Sequence, residues 1–189
     1  YTSGIYVLAK LNLDDGSIEL GSRLGAYVVW IALIKTYDTY YHIFLDMSTQ
    51  QTLYFVDPNT AYIVGIKDLP EQVYSGYSIH VVDIDNDGND EIVMQCYDGS
   101  SYYINILNED MSITTIVSAP FLSEPVIVDL TNDAGPEIIF SYGYYGYYYL
   151  AVYNPIEEEF LVIKYIGDYR FYVLATAPPI EISGDIVVC

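Results

Sequence analysis

The feature that most constrains this chain is a repeat made only of short strand-like segments. The strings HIFLDMSTQQTLYFVDPNT from His42, EIVMQCYDGSSYYINILNED from Glu91 and EIIFSYGYYGYYYLAVYNPI from Glu137 share one order of parts. Each has an acid or histidine, an apolar strand, a polar or glycine-rich turn, a second aromatic strand and an outer turn. The outer turns are Asp57-Pro58-Asn59, Asn108-Glu109-Asp110 and Asn154-Pro155. A fourth copy enters at Asp185 with DIVVC, so the anchors His42, Glu91, Glu137 and Asp185 lie 49, 46 and 48 residues apart. A further strand pair beyond each outer turn, such as Ala61–Ile66 and Ile79–Val82, brings the unit to about four strands. A period in this range with no helical segment is the mark of propeller blades. The expected fold is therefore all-β. It is a single domain over residues 1–189, a β-propeller of four blade repeats of about 47 residues.

The two ends of the sequence extend the pattern. Read from end to start they give DIVVCYTSGIYVLAKLNLDDG, which parallels EIVMQCYDGSSYYINILNED. The expectation is that the C-terminal strand completes the N-terminal blade. That would either latch a closed four-bladed ring or mark the chain as a window of a larger propeller or array. Strands such as Tyr102–Leu107 and Tyr147–Tyr153 carry little charge, as expected where both faces of a sheet are buried. Asp14-Asp15-Gly16 predicts a hairpin turn, because glycine supplies the positive φ that such turns need.

Within this frame one stretch carries chemistry: HVVDIDNDGNDEIVMQCY, His80–Tyr97. Asp83, Asp85 and Asp87 alternate, Gly88 and Asn89 follow, and Glu91 opens the next apolar run. Alternate acids in a tight loop direct carboxylates inward, which gathers oxygen ligands for a hard cation. Three packed carboxylates would repel one another without a counter-ion, which argues against an ordinary turn. An EF-hand would need a glutamate at its twelfth position, where this sequence has Met94, and it would need flanking helices. Magnesium fits less well than calcium, because it demands octahedral geometry and usually keeps several waters.

The nine-residue loop Asp83–Glu91 resembles the calcium-binding loop of FG-GAP (integrin α-subunit-like, or VCBS) β-propeller repeats. The pattern of that family is Asp-x-Asp-x-Asp-Gly-x-x-Asp, and here the last acid is Glu91. The resemblance implies a bound Ca²⁺ held by Asp83, Asp85, Asp87, Asn89 and Glu91. A weaker second site would use Asp129, Thr131, Asp133, Gly135 and Glu137, although Thr131 replaces an acid, the glycine is displaced and Pro136 enters. In the blade of His42 the matching positions are Ile34, Thr36, Asp38 and Tyr40. In that of Asp185 they are Ala177, Pro179, Glu181 and Ser183, so neither holds a site. The resemblance also implies an extracellular or cell-surface scaffold for adhesion, recognition or assembly.

Composition narrows the partners. Twenty-six acids against six lysines and arginines give a formal charge of −20, which excludes the basic footprint of a nucleic-acid binder. No apolar run is long enough to span a membrane, and no N-glycosylation sequon occurs. Cys96 and Cys189 fall at equivalent places in different repeats, so a disulfide between them is not expected. No base–acid pair, Gly-x-Ser-x-Gly elbow or cofactor motif is present, and the chain reads as a non-enzyme. His42 and His80 read as strand residues, Trp30 as core, and Glu157-Glu158-Glu159 as a solvated patch. The tyrosine run Tyr142–Tyr149 suits either a contact surface or aromatic filling between blades. The expected role is a structural, adhesive or filament-forming module, with self-association or an extracellular protein or glycan as partner. A carbohydrate-binding module, or the propeller part of a secreted enzyme, is the alternative.

Overall fold

The computed structural model describes residues 6–25, 27–75, 78–130 and 135–168. The expected strand at Asp185, its pairing with the N-terminal blade, and Cys189 lie outside them. Among the described residues the chain is all-β, with antiparallel sheets and no α-helix. Sheet A is the hairpin of β1 (Tyr6–Leu11) and β2 (Ile18–Leu24), joined by a turn in which Gly16 has φ 71°. Sheet B orders β3 (Val28–Thr36), β4 (Thr39–Asp46), β5 (Thr52–Val56) and β6 (Ile63–Asp68).

Sheet C has β9 (Glu91–Tyr97), β10 (Tyr102–Leu107) and β11 (Ile113–Ala119). Its first position, one edge of the sheet, is divided between β7 (Gln72–Val73) and β8 (Ile79–Val82), both paired with β9. Sheet D repeats this plan. β12 (Phe121–Leu122) and β13 (Val126–Val128) share the first position beside β14 (Glu137–Tyr144), followed by β15 (Tyr147–Asn154) and β16 (Glu159–Gly167). Sheets B, C and D thus carry the same four positions in the same order. In the aligned repeat, β1 and β2 match β10 and β11, the last two of those positions.

Sheet-on-sheet packing explains why the middle strands lose clean alternation. Along β9, Ile92, Met94 and Cys96 face sheet B and join Ile34, Ile43, Leu45, Leu53 and Phe55 in one core. Val93, between them, faces sheet D and packs with Ile104, Ile138, Phe140 and Tyr153 in a second core. A strand buried on both faces must be apolar at nearly every position. The one polar residue inside β9, Gln95, is buried and donates its Nε2–H to the Leu122 carbonyl at 2.9 Å. That bond ties sheet C to sheet D. Phe140 is fully buried between those sheets, and such a side chain is worth about 3–5 kcal/mol against alanine. The Cys96 thiol is buried as well, and burial pushes its pKa up to about 12.

Sheet A meets sheet B at a close backbone approach. A Cβ on Gly21 would lie 2.0 Å from the Ala61 carbonyl oxygen, so only glycine fits there. The neighbouring Ser22 N–H donates to that same oxygen at 2.9 Å. Among the described residues, sheet A has only two strands and covers part of sheet B. This corrects the reading of Trp30 as core. A register shift between Trp30 and Ala32 turns the indole toward sheet A, where it is 54% exposed. Its Nε1–H donates to His42 Nδ1 at 3.2 Å, beside a cleft also lined by Lys10, Phe44 and Asp57.

Candidate metal centre

The loop between β8 and β9 is built by side chains that bond backbone two to seven residues away. Asp85 Oδ1 accepts the Asp87 N–H at 3.1 Å, and Asp87 Oδ1 accepts the Asn89 N–H at 2.8 Å. These are Asx turns, the local geometry that aspartate favours. Asp83 Oδ2 reaches across the loop to the Gly88 N–H at 3.0 Å. Asn86 at φ 60° and Gly88 at φ 95° supply the left-handed residues that let the chain reverse. Between the first two aspartates, Ile84 turns inward and is buried with the second core. Its N–H donates to Glu91 Oε2 at 3.0 Å, which closes the loop onto the head of β9.

The outcome is a cluster of Asp83, Asp85 and Glu91, each offering an oxygen within 4.8 Å of the others. Two carboxylates at that spacing repel by at least ~3 kcal/mol at an effective dielectric of about 20. Glu91 is 2% exposed, and its Oε1 has no hydrogen-bond partner; neither has the buried Oδ1 of Asp83. A buried carboxylate oxygen without a donor is expensive, and a cation between the two would relieve both. Burial raises the Glu91 pKa to about 8, assisted by the charges of Asp85, Glu109 and Asp87 and opposed by the Ile84 N–H. The Asp85 pKa is raised too, by burial first and then by the charges of Asp87, Glu109 and Asp83. Asp85 and Glu91 border a cleft of about 270 Å³ between the outer turns of sheets C and D, which Glu109, Asp110 and Glu158 also line.

The other candidate ligands fall differently. Both oxygens of Asp87 accept from Asn89 Nδ2, at 3.0 and 3.1 Å. Asn89 Oδ1 accepts the Tyr37 N–H of sheet B at 2.6 Å, so its side chain serves the neighbouring sheet. In the second loop, Leu130 N–H donates to Glu137 Oε2 at 2.7 Å, the same closure as that of Ile84 on Glu91. Glu137 is fully buried and Asp129 exposed, while Thr131 and Asp133 lie outside the described residues. Gly135 sits against the first loop, where a Cβ would come 3.1 Å from the Ile84 carbonyl. In sheet B the corresponding loop has shrunk to a two-residue hairpin, with Tyr37 at φ 47° and Asp38 at φ 62°.

Glu157 and Glu158 lie in the exposed turn before β16, and Glu159 is exposed at its start. His80 lies in β8, its Nε2 buried without a partner. Tyr142 stacks on Tyr149 at 5.3 Å and packs onto the core between sheets C and D, whereas Tyr145 at the hairpin tip is 98% exposed. The tyrosine run therefore both fills and projects. Sequence reasoning missed Glu109 as a charge facing the loop; its place in an outer turn aligned with the loop was the available signal. Among the described residues no helix is long and apolar enough to cross a membrane. A scan of protein-family models finds no match to this chain, and a search of curated proteins finds none.

The raised pKa of Glu91 sets a pH trend. Without an ion, folded Glu91 keeps its proton up to about pH 8, whereas an ordinary glutamate releases it near 4.5. The stabilising difference is full below pH 4.5 and is lost as pH rises to 8. Urea unfolding of the ion-free protein is expected to show stability falling across that window. Glu91→Gln, which cannot ionise, should fall less steeply, and equal slopes for the two proteins would show that Glu91 is not the titrating group.

Proposed function

We propose that this chain is a non-enzymatic, calcium-stabilised β-propeller module of the extracellular space or cell surface, used for adhesion or filament building. The observation that carries the calcium reading is the pair of buried, unpartnered oxygens, Asp83 Oδ1 and Glu91 Oε1, in a cluster with Asp85. The donors are oxygens, the loop is irregular, and one side is open to a cleft, which suits the flexible coordination of Ca²⁺ better than octahedral Mg²⁺. Weak sites in extracellular modules work near 10⁻⁴–10⁻³ M calcium, so the ion would be held where free calcium is plentiful. It would act structurally, at the entry to β9, where both faces of the strand are core.

The four-bladed arrangement belongs to the same proposal. Sheets B, C and D repeat one strand order, and sheet A matches the outer half of that unit. In this reading Asp185–Cys189 supplies the next strand of sheet A, either from the same chain, closing a ring, or from a neighbouring copy, building a filament. A strand edge awaiting a partner is a natural site of polymerisation. Exposed Trp30 favours a second reading, a carbohydrate-binding module, because an indole at a polar-rimmed cleft can stack on a sugar ring.

Calcium at about 100 times Kd should stabilise the fold by roughly 2.7 kcal/mol. For a chain of this size that raises the melting temperature by about 5–10 °C. Asp85→Ala should abolish most of the rise, and a chelator that leaves the melting temperature unchanged would count against bound calcium. Native mass in calcium tests the filament: multiples of 21.4 kDa support it, and a lone monomer points to the closed ring. Emission of Trp30, the sole tryptophan, should ignore added oligosaccharides; a saturable shift would transfer the assignment to the carbohydrate module.

A further inference from the structure

The two halves of the Asp83–Glu91 loop face different neighbours. One half, Asp83, Asp85 and Glu91, forms the carboxylate cluster. The other half, Gly88 to Asp90, grips sheet B. Asp90 N–H donates to the Lys35 carbonyl at 2.7 Å, and Lys35 N–H donates back to Asp90 Oδ2 at 2.7 Å. Tyr37 N–H donates to Asn89 Oδ1 at 2.6 Å, and Lys35 Nζ donates to the Gly88 carbonyl at 2.9 Å. These four bonds join the calcium loop of sheet C to the end of β3 and to the shrunken hairpin that replaces the same loop in sheet B.

A short covalent and hydrogen-bonded path links the halves. Asp83 Oδ2 holds the Gly88 N–H, so fixing Asp83 restrains one side of the residue whose carbonyl, in the next peptide, accepts from Lys35. Asn89 Nδ2 in turn holds both oxygens of Asp87. Repulsion among Asp83, Asp85 and Asp87 opposes this geometry, and a cation among the carboxylates would relieve it and hold Gly88–Asp90 against sheet B.

We infer that the Asp83–Glu91 loop is an ion-dependent clamp between two sheets, in which a cation on Asp83, Asp85 and Glu91 sets the hold of Gly88, Asn89 and Asp90 on Lys35 and Tyr37. This rests on the calcium reading above. Asn89 and Asp90 are then positioning residues for sheet B, and ion occupancy governs the seam between sheets B and C. The next loop repeats the gesture, with Gly135 of sheet D set against the Ile84 carbonyl of sheet C.

The test is residue-resolved amide hydrogen exchange on the full chain, with calcium chloride or with chelator, alongside calorimetry of calcium binding. If the grip opens only in the ion-free protein, the Lys35 and Tyr37 amides slow by about tenfold or more. The ceiling is roughly 100-fold at 100 times Kd. The Ala151 amide of sheet D reports global unfolding, which releases the ion, and it slows by the full factor. The Asn12 amide, bonded to the Ser17 carbonyl at 2.9 Å in the sheet A hairpin, reports local opening that keeps the ion, and its exchange should change little. Asp90→Ala should still bind calcium within about threefold, since the lost charge is not a ligand, but should lose the selective slowing at Lys35. If calcium binds and Ala151 slows while Lys35 and Tyr37 change no more than Asn12, the clamp is overturned and the site stands. If calorimetry detects no calcium binding, the site and the clamp fall together.

Discussion

A buried glutamate at the head of the second strand of a sheet, bonded to a backbone N–H seven residues earlier, is the contact on which this architecture turns. Glu91 takes the Ile84 N–H and Glu137 takes that of Leu130. Each bond closes the loop that carries the chain from the first strand position of its sheet to the second. The strand that follows Glu91 is packed on both faces, so an error at the loop would displace two cores at once. A carboxylate is a demanding closure. It needs burial to exclude competing water, and burial opposes its charge. One oxygen of Glu91 is satisfied by the backbone and the other is left to a proton or a cation.

That constraint fits the charge of the whole chain. A protein with 26 acids and six basic side chains repels itself at neutral pH. Most of those acids are spread over exposed turns, where water screens them and Asx turns use them. Asp57 and Asp110 are held below the usual carboxylate range by hydrogen bonds from their own turns, and Asp98 by the Tyr103 hydroxyl of β10 and then the Ser101 and Ser100 N–H groups. Among the described residues, Asp83 and Glu91 each have a buried carboxylate oxygen without a donor, and the exposed Asp85 stands beside them. Lys35, one of the few cations, sits at the far side of the loop and reaches the Gly88 carbonyl and Asp38. The loop therefore has a charge deficit on one side and a basic tether on the other.

Much of this was legible in the sequence, because the repeat fixes strand order and the Asp-rich loop fixes where the turns fall. Tyr102–Leu107 and Ile79–Val82 form strands with the expected bounds, and Tyr147–Tyr153 extends by one residue to Asn154. Spacing singles out Asp83, Asp85, Asp87, Asn89 and Glu91, of which Asp83, Asp85 and Glu91 bring oxygens together. What the sequence hid depends on contacts between repeats. Val-Val-Trp-Ile reads as core locally, yet Trp30 is exposed because a bulge turns it toward a sheet of two described strands. Asn89 reads as a ligand from its loop position alone, and the sequence gives no sign that its side-chain oxygen accepts the Tyr37 N–H of the adjacent repeat's shortened loop. Neither outcome is written within one repeat.

The most direct test of the account is the number of protons released when calcium binds at pH 7, measured by titration calorimetry in buffers of different ionisation enthalpy. If Glu91 is kept neutral by burial until an ion takes its oxygen, binding should displace roughly one proton per ion. Calcium that binds without releasing a proton would mean that Glu91 is already ionised or is no ligand. The buried carboxyl would then not be what the ion satisfies.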